Sequence, residues 1–528
     1  MMKKRMQAVV LSLLLCGSMV QVQAQTQGQT QTQAQDPVIA AIVKEANENS
    51  QLEALAHELL DGIGPRLVGT PEMQKAHDWA VAKYKSWGIE ARNDKWGEWR
   101  GWQRGVTHVD MVHPRVQSLE ATQLAWSPST KSKGVTGEVI MLPDVQDSVA
   151  FQKWLPNVKG KIVLISMPQP TGRPDYNWEE FATKESLEKM KKERDAQTEA
   201  WSERMKKTGY NARTLPGALE QAGAAAVVTS NWSRGFGVNK IFGAYTKKVP
   251  SIDMALEDYG MLYRLAESGQ KPQIRIQAES KHQKNAPTFN TIAEIKGTEK
   301  PDEYVILSAH FDSWDGGTGA TDNGTGTIVM MEAMRILKKL YPNPKRTILV
   351  GHWGSEEQGL NGSRAFVADN PKIVEKTQAV FNQDNGTGRV ANISGQGFLH
   401  SYDFLGRWLS AAPREITSSI ETSFPGFPGG GGSDHASFVA AGAPAFMLSS
   451  LSWSYGNYTW HTNRDTYDKI VFDDVRSNAI LVAILAYQAS EDPEFANRER
   501  IKLPVDPRTG EQRTWPALRE PTRKGGLD

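Results

Sequence analysis

From residue 291 onward the apolar positions alternate in a repeating way. Short β-branched runs at 291–295, 303–309, 347–353 and 379–382 are separated by stretches of helical spacing at 325–340 and 362–369. Strands that alternate with helices predict parallel β-α-β units and a sheet covered on both faces. A further apolar run at 445–448 and a helix at 475–489 close this part. Upstream the texture differs. Residues 37–60 and 72–87 carry apolar positions at amphipathic helical spacing, with a Gly/Pro loop at 62–71 between them. Residues 134–141, 158–166, 224–229 and 273–278 read as short strands, 258–268 as a helix, 178–207 as a highly charged helical excursion and 279–287 as a polar linker.

These changes of texture set the expected organisation. Residues 37–123 and 287–494 form one α/β catalytic domain, a three-layer αβα sandwich around a mostly parallel central sheet. Residues 124–286 are a smaller α+β module inserted into it, and 495–528 are an Arg- and Pro-rich tail that either wraps the domain or stays mobile.

Residues 1–24 begin with MMKKR, continue through an apolar run at 8–15 and end in VQA, the pattern of a secretory signal peptide too short to span a bilayer. Residues 25–36 are a polar, low-complexity tether. A secreted or periplasmic protein is expected. Cys16, the only cysteine, falls inside the signal, and Leu15 before it disfavours lipoprotein anchoring. An exported chain without cysteine has no disulfides and no thiolate ligands, so any metal must be held by His and carboxylate. No second apolar segment approaches spanning length, so no stable membrane insertion is expected. Lys and Arg number 61 against 60 Asp and Glu, a net charge of +1, which offers no global field for nucleic acid.

Ligands of α/β sheets gather at the carboxyl ends of the strands. The run at 303–309 breaks into His310, Asp312 and Asp315, with Asp322 beyond; 347–353 leads to Glu356 and Glu357; 379–382 leads to Asp384. Carboxylates crowded on one rim repel unless a cation sits among them, so the crowding itself argues for metal. His461 supplies a second imidazole. Two histidines and three carboxylates, with one carboxylate left over, suit two Zn²⁺ ions that share a bridging carboxylate.

The motifs HFDSWD (310–315), GATDNGTG (319–326), GSEEQGLNGSRAF (354–366), QDNGTG (383–388), SDHASF (433–438) and WHTNRDTYD (460–468) occur in the order found in the co-catalytic zinc exopeptidases, which this chain resembles over nearly its whole mature length. GIGPRLVGTPE (62–72) fits as well, and the S-x-H-x-D-S-W-D form is most similar to the branch with a dipeptide-preferring carboxypeptidase. The resemblance implies His310 and Asp384 on one zinc, Glu357 and His461 on the other, and Asp322 bridging. It implies Glu356 as general base for a water shared by the metals, Asp312 as the carboxylate that orients the His310 ring, and a protease-associated domain as the insert. The activity it implies is exopeptidase hydrolysis of small peptides, as an aminopeptidase or dipeptidase. A glutaminyl-cyclase-like acyl transfer with one zinc and a non-catalytic receptor-like protein are the alternatives, and a homodimer is left open.

Other residues are less defined by sequence. His435 either meets the substrate or is a satisfied loop histidine. Asp315 and Asn323 shape the metal loop, Asp465 and Asp468 hydrogen-bond the His461 loop, and Arg66 ties down a loop from the surface. Trp87, Trp96, Trp99 and Trp102 make a dense patch that either lines an interface or pocket or packs inside, the default for large aromatics. His77 and His352 are structural.

Overall fold

The computed structural model describes residues 36–526. The signal segment, Cys16 and nearly all of the tether lie outside the described residues. Among the described residues no helix is long and apolar enough to cross a membrane.

Helix α1 (Pro71–Ser86) shows how local sequence sets an element. The Thr70 side chain accepts from the Met73 amide, Pro71 occupies the first turn, and Lys83 and Lys85 sit where the helix dipole favours cations. Met73, Ala76, Ala80 and Tyr84, three or four apart, form its buried face. The chain then turns at Gly88, whose φ of +72° suits glycine, into strand β1 (Glu90–His113).

Strand β1 pairs antiparallel with β2 (Gln273–Ile295) in register from Glu90 opposite Glu294 to His113 opposite Gln273. The expected linker at 279–287 is therefore part of a strand. Its polar residues are tolerated because an antiparallel ribbon can leave one face in water. β3 (Lys300–His310), β4 (Arg346–Trp353), β5 (Thr377–Asn382) and β6 (Ala445–Ser450) follow. The β3/β4, β3/β5 and β5/β6 pairs are parallel, while β4 pairs antiparallel with β2.

Strands β3 to β5 are buried on both faces. Val305 and Leu307 point into one apolar core with helices α2 (Thr325–Leu340) and α5 (Phe472–Glu491); Ile306 points into another with α3 (Asn361–Asp369) and α4 (His435–Ala441). Alternate residues of one strand thus serve opposite layers, the three-layer α/β arrangement expected from the alternation of strands and helices. After β3 the chain places β4 on one side of it and β5 on the other. The sheet reverses its winding at β3, and crevices form at the carboxyl ends of strands at such a switch point.

β2 also pairs with Val135–Met141, and the sheet continues through Ile162–Leu164, Ala226–Thr229 and Ser251–Met254, which have an apolar core of their own around Leu164, Val228, Ile252 and Tyr259. The charged excursion forms two helices, Asp175–Phe181 and Lys184–Lys207, because Thr183 caps a new start at Ser186. The tail wraps. Trp515 stacks near Phe398, and Lys524–Gly525 adds a short parallel strand beside Glu98 and Trp99.

Candidate active site

Parallel register fixes where the site forms. Trp353 lies opposite His310, and Asn382 opposite Ser308, so three strand ends finish level and release their next residues at one rim. His310 ends β3, Glu356 and Glu357 follow β4 in a tight turn, and Asp384 follows β5. Asp322 comes from the loop before α2. His461 comes from the loop after β6, where its own φ is +60°. Ser355, just before the Glu pair, has φ +61°. Two side-chain-bearing residues held in the left-handed region beside one centre mark the local strain that functional sites retain.

Five of these side chains converge. His310 Nε2 lies 3.0 Å from Asp384 and 3.3 Å from Asp322; His461 Nε2 lies 2.8 Å from Glu357 and 3.3 Å from Asp322. Two sets of donors result, His310, Asp322 and Asp384 in one and Asp322, Glu357 and His461 in the other, each with its ligand atoms within 4.8 Å of one another. Asp322 belongs to both.

Electrostatics show how poorly these carboxylates tolerate each other alone. Burial, with the charge of Asp384 adding to it, drives Glu356 well above the carboxylate range, and burial next to Asp322 does the same to Glu357. Burial also raises Asp322, but hydrogen bonding to His310 and the two imidazoles outweigh it and hold it low. Burial opposes a charge on His310, yet Asp384 and Glu356 keep its ring protonated well above the usual value. His461, with fewer acids around it, is lowered by burial to about 4. Glu357 Oε1 and Asp322 Oδ2 are buried without a hydrogen bond. Convergent carboxylate oxygens with vacant lone pairs and imidazole nitrogens aimed at them fit divalent metal ions.

Supporting contacts refine the expected roles. The His310 Nδ1 hydrogen bond, 2.9 Å, goes to the main-chain carbonyl of Asp312, whose carboxylate stands 3.7 Å away. That carboxylate accepts the amides of Glu356 at 3.0 Å and Glu357 at 3.2 Å. Asp312 thus meets the His310 ring through its carbonyl, with its carboxylate close behind, and the same carboxylate positions the Glu pair. Asp465 accepts the amides of Thr321 and Asp322, tying the Asp322 loop to the His461 loop. Asp468 instead faces solvent beside Thr466 and Lys469. Asn323 bridges Gln383 and Gly326; a Cβ on Gly326 would come within 2.5 Å of the Gln383 carbonyl, so α2 can start here only with glycine. Asp315 pairs with Arg104. Arg66 is buried, not at the surface, and donates to the carbonyls of Gly64, Phe311, Thr318 and Gly319, which pins the whole metal loop. His435 is buried near Asp384 and is lowered by burial to about 4.

Three contributors have no role assigned to them by the sequence. Asp434, inside SDHASF, is fully buried; burial, opposed by the charge of His310, lifts it to about 7. The Tyr455 side chain lies by Asp322 and helps to hold its carboxyl low. The third comes from the upstream region: the Ile241 amide donates to the His461 carbonyl at 2.8 Å and the Asn239 amide to Asn463 Oδ1 at 2.9 Å. The Phe242 ring packs edge-on to His461, with centroids 5.4 Å apart. Only the tyrosine lies close enough in sequence to His461 for spacing to have suggested it.

Residues 290–486 match the model of peptidase family M28. The chain is 26% identical to carboxypeptidase Q of Mus musculus over 452 residues, 83% of this chain and 86% of that protein. It is 25% identical to carboxypeptidase Q of Homo sapiens, with 85% and 87% covered. Its fold is similar to that of a peptidase M28 precursor from Shewanella amazonensis SB2B (TM-score 0.63, 22% identity, 88% of this chain and 98% of that one). It is also similar to BSAP, a zinc aminopeptidase from Bacillus subtilis (TM-score 0.53, 19% identity, 87% and 98%). With a match to peptidase family M28 over the part that carries the site, and carboxypeptidase Q relatives that extend along most of the chain, this protein is a metallo-exopeptidase.

Proposed function

We propose that this chain is an exported exopeptidase that removes residues from small peptides with a free amino terminus, as an aminopeptidase or dipeptidase, using two zinc ions. The observation that carries the reading is the pair of donor sets that share Asp322. His310 and Asp384 would hold one ion, Glu357 and His461 the other, with Asp322 between them. Zinc, when bound, supplies Lewis acidity that makes water a better nucleophile and polarises the scissile carbonyl.

The chain's own groups do the rest. Glu356, not needed as a ligand, takes a proton from the attacking water at its carboxylate and returns it to the departing amine. Asp312 fixes the Glu356 amide so that the carboxylate stays on the open side of the cluster. His435, buried and neutral beside Asp384, offers a ring N–H to a developing oxyanion. Residues 1–24 direct export, and 124–286 constitute a protease-associated-like module.

A panel of dipeptides with free and blocked termini tests this. Free amines should be cleaved and N-acetylated peptides spared, and Glu356→Gln should lower kcat by about 10²- to 10⁴-fold while metal content stays at two zinc ions per chain. Equal hydrolysis by Glu356→Gln and parent would remove Glu356 as base; equal cleavage of acetylated peptides would remove the free-amine requirement.

A further inference from the structure

A cavity of about 710 Å³ opens between the upstream strands and the metal loop. Its walls include the aromatic rings of Trp126, Trp201, Phe242 and Trp314. Arg100 and Arg213 also line it, and no Asp or Glu does. Arg100, from strand β1, lies with its guanidinium 4.4 Å over the Trp126 ring. Among the described residues neither arginine side chain has an ion pair or a hydrogen bond, and Arg100 Nε is buried with no acceptor. The indole N–H of Trp314 is buried and unpaired as well. Two other half-buried arginines are matched: Arg104 meets Asp315 and Arg194 meets Asp175.

A cation withdrawn from water without an anion is costly, and the cost is recovered when a ligand brings the anion. A guanidinium and an unpaired indole N–H lining one cavity offer donors of the kind that carboxylate oxygens accept. The aromatic walls suit an apolar body attached to that carboxylate. Two of the walls, Phe242 and Trp314, also touch the His461 ring, at centroid distances of 5.4 and 6.1 Å, so the cavity backs directly onto the metal cluster.

We infer that this cavity is a binding site for the free carboxyl end of a peptide whose last residue is apolar or aromatic, held by Arg100 and Arg213 outside the metal cluster. The choice of a peptide as ligand rests on the exopeptidase reading above; the carboxylate chemistry rests on the cavity alone.

The test is equilibrium binding, by titration calorimetry on the full zinc-loaded protein, with N-acetyl-L-phenylalanine and its carboxamide as probes. The acid should bind at least about tenfold more tightly than the amide, since charge-assisted hydrogen bonds are the stronger kind. Arg100→Leu and Arg213→Leu should each erase that preference. Acid and amide binding alike would overturn the inference. So would an unchanged preference in both arginine variants, which would put the carboxylate on the metals instead. Should Arg100→Leu fail to fold, the exposed Arg213 still decides the matter. Because no turnover is measured, a protein that binds the acid as described yet cleaves no peptide would refute the proposed activity and leave this site standing.

Discussion

His310 ends a strand in the middle of the sheet with 1% of its side chain exposed, whereas His461 rides on a loop at φ +60° with 12% exposed. The first is held by what the sheet does anyway. Its backbone is laddered to β4 and β5, its ring is fixed by a carbonyl two residues away, and Phe311 beneath it packs between His77 and His352. The second is held by contacts from far along the chain: Ile241 and Asn239 on the loop backbone, and the Phe242 ring edge-on at 5.4 Å. One half of the cluster is a product of secondary structure and the other of tertiary docking. The halves should therefore fail differently when disturbed.

The largest contrast is expected from deleting each imidazole. His310→Ala leaves Asp322 and Asp384 buried without their partner and should cost about 3–5 kcal/mol of stability together with most bound metal. His461→Ala should lose only the metal held with Glu357 and keep its denaturation midpoint near that of the parent. Metal analysis and urea unfolding of the two variants side by side check this, and equal losses would abolish the distinction.

A smaller effect should follow from Asn463→Ala, which removes the acceptor for the Asn239 amide and a donor to the Gly237 carbonyl without touching the cluster. Loss of such outer support should lower activity by about tenfold with unfolding little changed. Activity at the parental level would show that the His461 loop keeps its place unaided.

The subtlest test concerns acid. His77 and His352 are fully buried, and burial lowers both to about 3, with each ring's neutral form bonded to a hydroxyl, of Thr291 and Tyr84 respectively. The unfolded chain takes up protons below pH 6.5 that the folded chain refuses, so their contribution is complete above that pH and drains away as pH falls toward 3. The slope approaches about 1.4 kcal/mol per pH unit for each ring. Denaturation midpoints between pH 7 and 5 should shift less in His77→Gln than in the parent; parallel shifts would detach these rings from the acid sensitivity of the His310 half.

The same contrast explains what could be read in advance. The βα alternation after residue 291, the strand ends and the switch at β3 follow from local apolar periodicity, and they carry His310, Glu356, Glu357 and Asp384. The ribbon of β1 and β2 was not legible, because its middle is polar and its partners are nearly two hundred positions apart, so 279–287 reads as a linker when viewed alone. Arg66 reads as a surface residue because no local signal announces four carbonyl partners. Asp312 was recognised as a neighbour of His310, but that its carboxylate serves the Glu turn depends on where β4 ends beside β3. Asn239 and Ile241 sit in a stretch with no chemistry of its own; what matters there is backbone amides, which every residue has.

The β1/β2 ribbon has one more consequence. His113 and Gln273 face each other as the last matched pair, so the chain from 114 to 272 departs from and returns to the β1/β2 ribbon at adjoining positions. A tight turn joining these two positions would close the ribbon on itself, and loop closure over so short a gap is undemanding. The intervening stretch is in this sense an accessory joined to the ribbon at one seam. Detachment would nevertheless remove the amides of Asn239 and Ile241 from beneath the His461 loop, so the accessory has become part of the machine it was attached to.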